Sequence, residues 1–410
     1  MTTAAEVPGD LIVDFDIYDP ALTAAGDTVP ERIAELARLG PVVYSTAHGG
    51  HWIVTRYREI HDVLRDPETF SSYPNNLVTT TAGFGKFLPL ELDPPEHTGY
   101  RRALQPLFGP QRMQALEDDI RAVIDELIDG FAERGVTEFI TAFAHELPTR
   151  VFLALMDWPL ADAPMFTEAT DVVLTGIPGA TEEESDRARG AAAFRMLGYF
   201  QQMIDARRAA PGPDITSTII HTEVETADGT RLLTDEELNR MFFLLLIAGL
   251  HTVQGSLAWG IIHLAHHTEQ RRQLIADPDL IPAAVEEILR YEAAVVPGRR
   301  ATRTTELGGV TIAEGDQLIL PLCAANRDGD EFPDADALRL DRRPNRHLSF
   351  GAGAHRCLGS HLARIELRLA LEQIHRRIPD YALIDTDPPV LHAGQVRGCV
   401  RLPITFTPQR

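Results

Sequence analysis

The stretch Phe350-Gly351-Ala352-Gly353-Ala354-His355-Arg356-Cys357-Leu358-Gly359 decides how this chain is read. Its three glycines leave the backbone free to fold tightly, so that amide N–H groups can approach the Cys357 sulfur. Leu358, Leu362, Ile365 and Leu369 follow at helical spacing and predict a long helix from about Leu358 to Ile378. Cys357 is thereby placed at a helix N-terminus, where the dipole and free amides stabilise a thiolate. A thiolate in such a loop can serve as a nucleophile, a zinc ligand or a haem ligand. A nucleophile asks for a histidine–carboxylate partner, and zinc asks for further Cys or His at short spacing. Cys323 and Cys399 lie in apolar, strand-like surroundings and read as core residues.

Outward from this loop, the next informative stretch begins at Thr234. Thr234-Asp235-Glu236-Glu237 is a capping box, in which the Thr hydroxyl takes the amide of the third helical residue and Glu237 reaches back to the Thr234 amide. Helical sequence then runs to about His267, a length of roughly 50 Å at 1.5 Å per residue. It is apolar on nearly all sides from Met241 to Leu250, which predicts a helix crossing the core. Its middle reads Ala248-Gly249-Leu250-His251-Thr252, where Gly249 costs about 1 kcal/mol against Ala. Close packing of another helix is the plain explanation of that glycine. After Pro282 a further helix carries Glu287-Ile288-Leu289-Arg290, whose Glu and Arg share a face and can pair.

Strand-and-turn sequence follows at Val295-Val296-Pro297, Glu306 to Val310 and Gln317 to Leu322, and earlier at Val42 to Tyr44 and His51 to Val54. From Gln111 to Ile275 the chain reads as helix after helix, broken at Pro159, Pro178 and Pro211-Gly212-Pro213. Asn75 to Leu90, with Gly83 and Gly85, reads as a flexible loop, and the first twenty or so residues as loosely held.

The 410 residues carry 38 Lys+Arg against 60 Asp+Glu, a net charge of −22 that argues against a nucleic-acid partner. Lysine occurs only at Lys86. Three cysteines form no disulfide framework and no CxxC pair, which fits a reducing cytoplasm. The N-terminus shows no signal peptide, and Met241 to Leu250 is shorter than the roughly 20 residues a bilayer requires. A cytoplasmic protein with no membrane anchor is expected.

The Phe350-to-Gly359 segment resembles the FGxGxHxCxG haem loop of the cytochrome P450 family at every fixed position. Glu287-Ile288-Leu289-Arg290 is similar to that family's ExxR, and Ala248 to Thr252 to its oxygen-binding groove. Leu92-Asp93-Pro94-Pro95-Glu96-His97-Thr98-Gly99-Tyr100-Arg101 resembles its C-helix approach to the haem, and Ala325-Asn326-Arg327-Asp328 with Phe332-Pro333-Asp334 its stretch before the meander. The resemblance implies one mainly α domain with a small β-rich lobe, the cytochrome P450 fold. It also implies haem b, with Cys357 as the iron ligand and Phe350 and Gly351 in the loop that cradles it. His97, Arg101, Arg299 and His355 match positions that contact the haem propionates, with Arg300 an adjacent rival to Arg299. Glu287, Arg290 and Arg342 match a buried structural charge triad.

The same resemblance implies a bacterial-type monooxygenase, inserting one atom of O₂ into an apolar terpenoid, fatty or aromatic skeleton. A monomer is expected, with electrons from a separate ferredoxin and its NAD(P)H-dependent reductase. Arg343, Arg346, Arg356, Arg364 and Arg368 are candidates for a basic face toward that donor, or ordinary solvated arginines. The substrate pocket is expected from Phe84, Phe87, Leu88, Leu244, Leu245, Ala248, Val295 and Val296, with Gly249 and Thr252 at the oxygen. Lys86 can hold a substrate carboxylate or lie exposed in its loop. A peroxide-driven peroxygenase and a haem sensor without turnover are the rivals; the hydroxyl at Thr252 argues against the sensor. One position departs from the family: His251 stands where an acid precedes the threonine. A histidine ordinarily titrates near pH 6.5, so His251 can relay protons, turn toward other charged groups, or simply pack.

Overall fold

The computed structural model describes residues 2–3, 6–77, 85–177, 179–227 and 229–409. Helix Asp235–His266 runs through the centre, and its capping box is formed. The Glu237 amide donates to the Thr234 hydroxyl at 3.2 Å, and the Thr234 amide donates to the Glu237 carboxylate at 2.8 Å. By length and composition this helix could cross a bilayer, which the Met241-to-Leu250 run alone did not suggest. It lies instead in the interior. Leu238, Met241, Phe242, Phe243, Leu246 and Leu250 are buried, and helices Glu146–Met156, Glu182–Ala209 and Ser360–Arg377 pack around it. Each such side chain contributes about 1.5–3 kcal/mol on burial, so packing and not propensity holds the helix through Gly249.

One strip of the central helix escapes that burial. Leu244, Leu245, Gly249 and Thr252 are part-exposed and Ala248 is exposed, while Phe243, Leu246, Leu250, His251 and Val253 are closed off; Ile247, on another side of the helix, is part-exposed as well. Residues spaced by one, four, five and eight lie on one face of a helix, so these five form the wall of a cleft.

A six-stranded sheet makes the β-rich lobe. Its order is Ile12–Val13, Val42–Ser45, His51–Val54, Gln317–Ile319, Gly298–Ala301 and Phe70–Ser71. Parallel pairing of His51–Val54 with Gln317–Ile319 joins the N-terminal strands to the C-terminal half, and Trp52 stands opposite both Tyr44 and Leu318. Described residues of this opening segment are tied down, against the expectation that it is loosely held. Ile12–Val13 adds to the sheet edge, Phe15 and Ile17 are buried, and Thr2 donates its amide and hydroxyl to the Asp316 carboxylate.

Two further differences come from β structure inside the stretch read as helical. Val136–Glu138 pairs with Pro403–Thr405, and Glu223–Thr226 forms a hairpin with Gly229–Leu232. The second strand of that hairpin is exposed throughout, so it carries no apolar period to read. Val295-Val296 is a single bridge from Val295 to Val396, not a strand. Phe84, Pro178 and Gly83 fall outside the described residues.

Candidate functional site

The cysteine loop is built on backbone hydrogen bonds. The Gly351 amide donates to the Leu348 carbonyl at 2.7 Å, and the Cys357 amide to the Phe350 carbonyl at 2.8 Å. Gly351 and Gly353 sit at φ +65° and +70°, which glycine adopts without strain. Gly353 also lies so close to the Leu64–Arg65 backbone that a Cβ there would stand 2.5 Å from the Leu64 carbonyl oxygen. Two separate constraints therefore require glycine at this position.

The following helix begins at Ser360, three residues after Cys357, which corrects the expected start at Leu358. Cys357 is open on one side, while protein crowds the rest of its side chain. Crowding dominates its charge. Desolvation pushes the thiol pKa up, against the Gly359 amide and then Arg101, Arg364 and Arg356. The protein alone does not hold the thiolate expected from a helix terminus. A cation bound at the sulfur would displace the proton, as metals do at thiol ligands.

Four basic side chains gather beside this loop from three elements. His97 and Arg101 come from helix Glu96–Leu104, Arg299 from strand Gly298–Ala301 and His355 from the loop itself. On its other contact this helix packs tightly on strand Glu223–Thr226, because Gly99 has no side chain: a Cβ there would stand 2.0 Å from the Glu225 carbonyl oxygen. The His97 and His355 rings are 4.3 Å apart, and Arg101 Nη2 donates to the Arg356 carbonyl at 2.5 Å. Strand alternation separates the two candidate arginines: Arg299 is buried and faces His355, whereas Arg300 is exposed on the opposite face.

Burial lowers Arg299 to about 10, with Asp93 opposing. Burial and then Arg101 lower His97 to about 4. His355 falls to about 3 through burial, then Arg299, His97 and Arg101. Both ring nitrogens of His355 are buried without a hydrogen-bond partner. Asp93, the nearest carboxylate, is held by the Ser71 hydroxyl at 2.5 Å and the Ser72 amide at 2.9 Å. Among the described residues no carboxylate pairs with any of the four basic groups. Such a cluster is incomplete without an anion, and two carboxylates of a buried ligand would meet it.

The charge triad lies behind the loop. Glu287 accepts from Arg290 Nε and Nη2, both at 2.8 Å, and from Arg342 Nε at 3.1 Å on both oxygens. All three residues are buried. Arg290 also donates to the carbonyls of Asn326 and Ala335, and Arg342 to those of Pro333 and Asp334. Asn326 then takes the Leu348 amide at 2.7 Å and donates to Ser349 at 2.8 Å, so the network reaches the start of the cysteine loop. Sequence alone showed the triad but not Asn326, nor the Glu286 carboxylate that holds Arg364 and His347 at the loop's other flank.

On the cleft face of the central helix, the Thr252 hydroxyl donates to the Ala248 carbonyl at 2.8 Å. Gly249 is not there for helix packing: a Cβ would meet only the Phe152 ring, at 3.8 Å. His251, two turns on from Leu244, stands at the edge of this face and packs into the interior. It is buried, with Nε2 3.7 Å from Asp171 Oδ1 and its ring 5.8 Å from that of His145. Burial lowers its pKa to about 4 despite Asp171, so its imidazole is neutral at pH 7 and does not titrate near neutrality as an ordinary histidine does. His145 and Asp171 carry no local sequence signal, because they come from segments distant in the chain.

The expected pocket is only partly assembled. Leu244, Leu245 and Ala248 line the cleft, Val295 is half-buried, and the Phe87 ring stacks 5.9 Å from Phe243. Leu88 and Val296 are buried in the two hydrophobic cores instead, Val296 because successive extended residues face opposite sides. Lys86 is half-buried, with its ammonium 4.9 Å from the centre of the Tyr73 ring. Of the five arginines proposed as a basic face, Arg346, Arg364 and Arg368 are paired with Glu331, Glu286 and Glu117. Arg343 and Arg356 are exposed with no acid partner among the described residues, and so is Arg65, which the sequence did not single out.

A glycine-built cysteine loop, braced from behind and flanked by anion-seeking cations, opposite a helix wall with a hydroxyl, is the architecture of a haem-thiolate protein. Comparison with known proteins agrees. Residues 161–378 match the family model for cytochrome P450. The chain is 33% identical over 408 residues to the probable cytochrome P450 127A1 of Sinorhizobium fredii, covering 98% of this chain and 96% of that one. It is 34% identical to the mycinamicin IV hydroxylase/epoxidase of Micromonospora griseorubida, over 93% of this chain and 96% of the relative. The crystal structure of CYP101J2 superposes with a TM-score of 0.87 at 32% identity, covering 99% of this chain and 100% of that one. The chain belongs to the cytochrome P450 family, whose cofactor is haem b and whose members named here are oxidoreductases.

Proposed function

We propose that this protein hydroxylates an apolar small molecule of terpenoid, fatty or aromatic type, with electrons from a separate ferredoxin and its NAD(P)H-dependent reductase. The observation that carries the reading is the strip Leu244, Leu245, Ala248, Gly249 and Thr252, an apolar wall with one hydroxyl on a largely buried stretch of helix. Haem bound at Cys357 supplies the activation of O₂ and the insertion of one oxygen atom. Cys357 would be the iron ligand, and His97, Arg101, Arg299 and His355 would hold the propionates. The Phe350 carbonyl and Gly351 fix the loop, and Glu287, Arg290 and Arg342 keep it in place.

Leu244, Leu245, Phe87 and Val295 exclude water and orient an apolar skeleton by shape. Gly249 leaves the wall open where the small ligand O₂ must fit. The Thr252 hydroxyl, its proton given to the Ala248 carbonyl, offers its oxygen lone pairs to a group in the cleft and can pass a proton on by rotating. His251 takes no part in that transfer. Arg65 and Arg356, exposed and close to the loop, are suited to an acidic electron donor, and Arg343 is exposed as well. Reducing surroundings such as the cytoplasm suit its free thiols.

Turnover of a bound apolar ligand, found by a low-spin to high-spin spectral screen, tests the reading. Product is expected with NADH and a surrogate ferredoxin system, and product per NADH should fall in Thr252→Ala while NADH oxidation continues. Product with hydrogen peroxide alone would replace the ferredoxin reading with a peroxygenase. No product under either condition would leave a haem-binding protein without turnover.

A further inference from the structure

At the edge of the cleft face of the central helix, side chains from three helical segments converge. His145 directly precedes helix Glu146–Met156, Asp171 lies on helix Ala163–Thr175, and His251 on helix Asp235–His266. His145 Nε2 is 2.9 Å from Asp171 Oδ1, His251 Nε2 is 3.7 Å from the same oxygen, and all the donor atoms lie within 4.8 Å of one another. The 2.9 Å contact is not a hydrogen bond, because its direction is wrong for one, and both Nε2 atoms are buried without any hydrogen-bond partner. His145 and His251 are more than nine-tenths buried, at 4% and 8% exposure, and such orphaned nitrogens are costly unless something occupies the space they face. Nothing in the haem reading uses them.

We propose that His145, Asp171 and His251 form a binding site for a divalent transition-metal ion, zinc being the best match to two imidazoles and one carboxylate. Three donors at zinc bond lengths of about 2.1 Å stand roughly 3.4 Å apart in a tetrahedral arrangement. The observed 2.9 and 3.7 Å separations bracket that value, so an ion enters with side-chain adjustments only. Asp171 is half-exposed and gives an entry path, and leaves the fourth position to water. His392 also acts electrostatically on His251 and feels Asp171, but it is not among the three donors that lie within 4.8 Å of one another. Metal here would tie the helix Ala163–Thr175 to the central helix one residue from Thr252. The site stands independently of the substrate and electron-donor proposals.

Isothermal titration of chelator-treated holoprotein with zinc chloride tests this, with metal analysis after dialysis. One equivalent of zinc is expected in the wild type, with a higher melting temperature when bound. Loss of one ligand should weaken binding by about 100-fold or more in Asp171→Asn and in His145→Ala. His221→Ala, outside the cluster, should bind as wild type does. Asp171→Asn changes a half-exposed residue isosterically, and its haem spectrum verifies that it folds. A wild type that takes up no stoichiometric zinc, or equal affinity in the wild type, Asp171→Asn and His145→Ala, would overturn the assignment.

Discussion

Removing the Glu287 carboxylate tests how far the brace behind the cysteine loop holds the fold. In Glu287→Ala, Arg290 and Arg342 lose the counter-ion they share while staying buried, and the amide of Arg339 and Asn345 Nδ2 lose an acceptor as well. Breaking a buried pair from one side costs about 3–5 kcal/mol, two to nearly four decades in the folded-to-unfolded ratio. The full cost of burying bare charges is avoided because Arg290 and Arg342 keep their bonds to the carbonyls of Asn326, Ala335, Pro333 and Asp334. Glu287→Gln keeps the shape but replaces charge-assisted bonds by neutral ones of about half the strength, so about half the loss is expected. Urea unfolding of the holoprotein, followed by tryptophan fluorescence and haem absorbance together, measures both. Haem absorbance should be lost at lower urea in both variants, because the network continues through Asn326 to Leu348 and Ser349. A change below about 1 kcal/mol in Glu287→Ala, with haem retained as in wild type, would refute the reasoning.

Three further outcomes follow from the geometry. Gly353→Ala places a Cβ 2.5 Å from the Leu64 carbonyl at φ +70°, so a loss of about 1–3 kcal/mol and weaker haem retention are expected in dialysis against apomyoglobin. Arg299→Ala should release haem faster in the same assay while Arg300→Ala behaves as wild type, because only Arg299 faces the basic cluster. His375, buried and lowered to about 4 by desolvation and then Arg271, is neutral when folded but protonated when unfolded between about pH 4 and 6.5. Its contribution is intact above pH 6.5 and falls as pH drops toward 4, by up to about 1.4 kcal/mol per pH unit. The urea midpoint of His375→Gln should therefore decline less steeply over that range.

Much of the fold was legible because its signals are local. The Thr234–Glu237 box, the apolar run after it and the Glu287–Arg290 spacing each reside in a few adjacent residues, and each is formed as read. The hairpin Glu223–Thr226 with Gly229–Leu232 was not legible, since its exposed strand carries no burial pattern. The facing of individual side chains was not legible either. Arg299 and Arg300 differ only in which side of a strand they occupy, and the strand's orientation comes from pairing with Gln317–Ile319. His251 packs into the interior at the edge of the groove beside His145 and Asp171, which come from segments far away in sequence. The charge state of Cys357 was not legible, because a helix dipole is read from one helix end whereas the groups crowding the sulfur come from elsewhere in the chain.

The central claim is that Cys357 binds haem iron through sulfur. The reduced, CO-bound protein should show the red-shifted Soret band of thiolate ligation, and Cys357→Ala should lose that shift while the protein remains folded. An unshifted Soret band in the wild type, or a red shift that survives in Cys357→Ala, would contradict it.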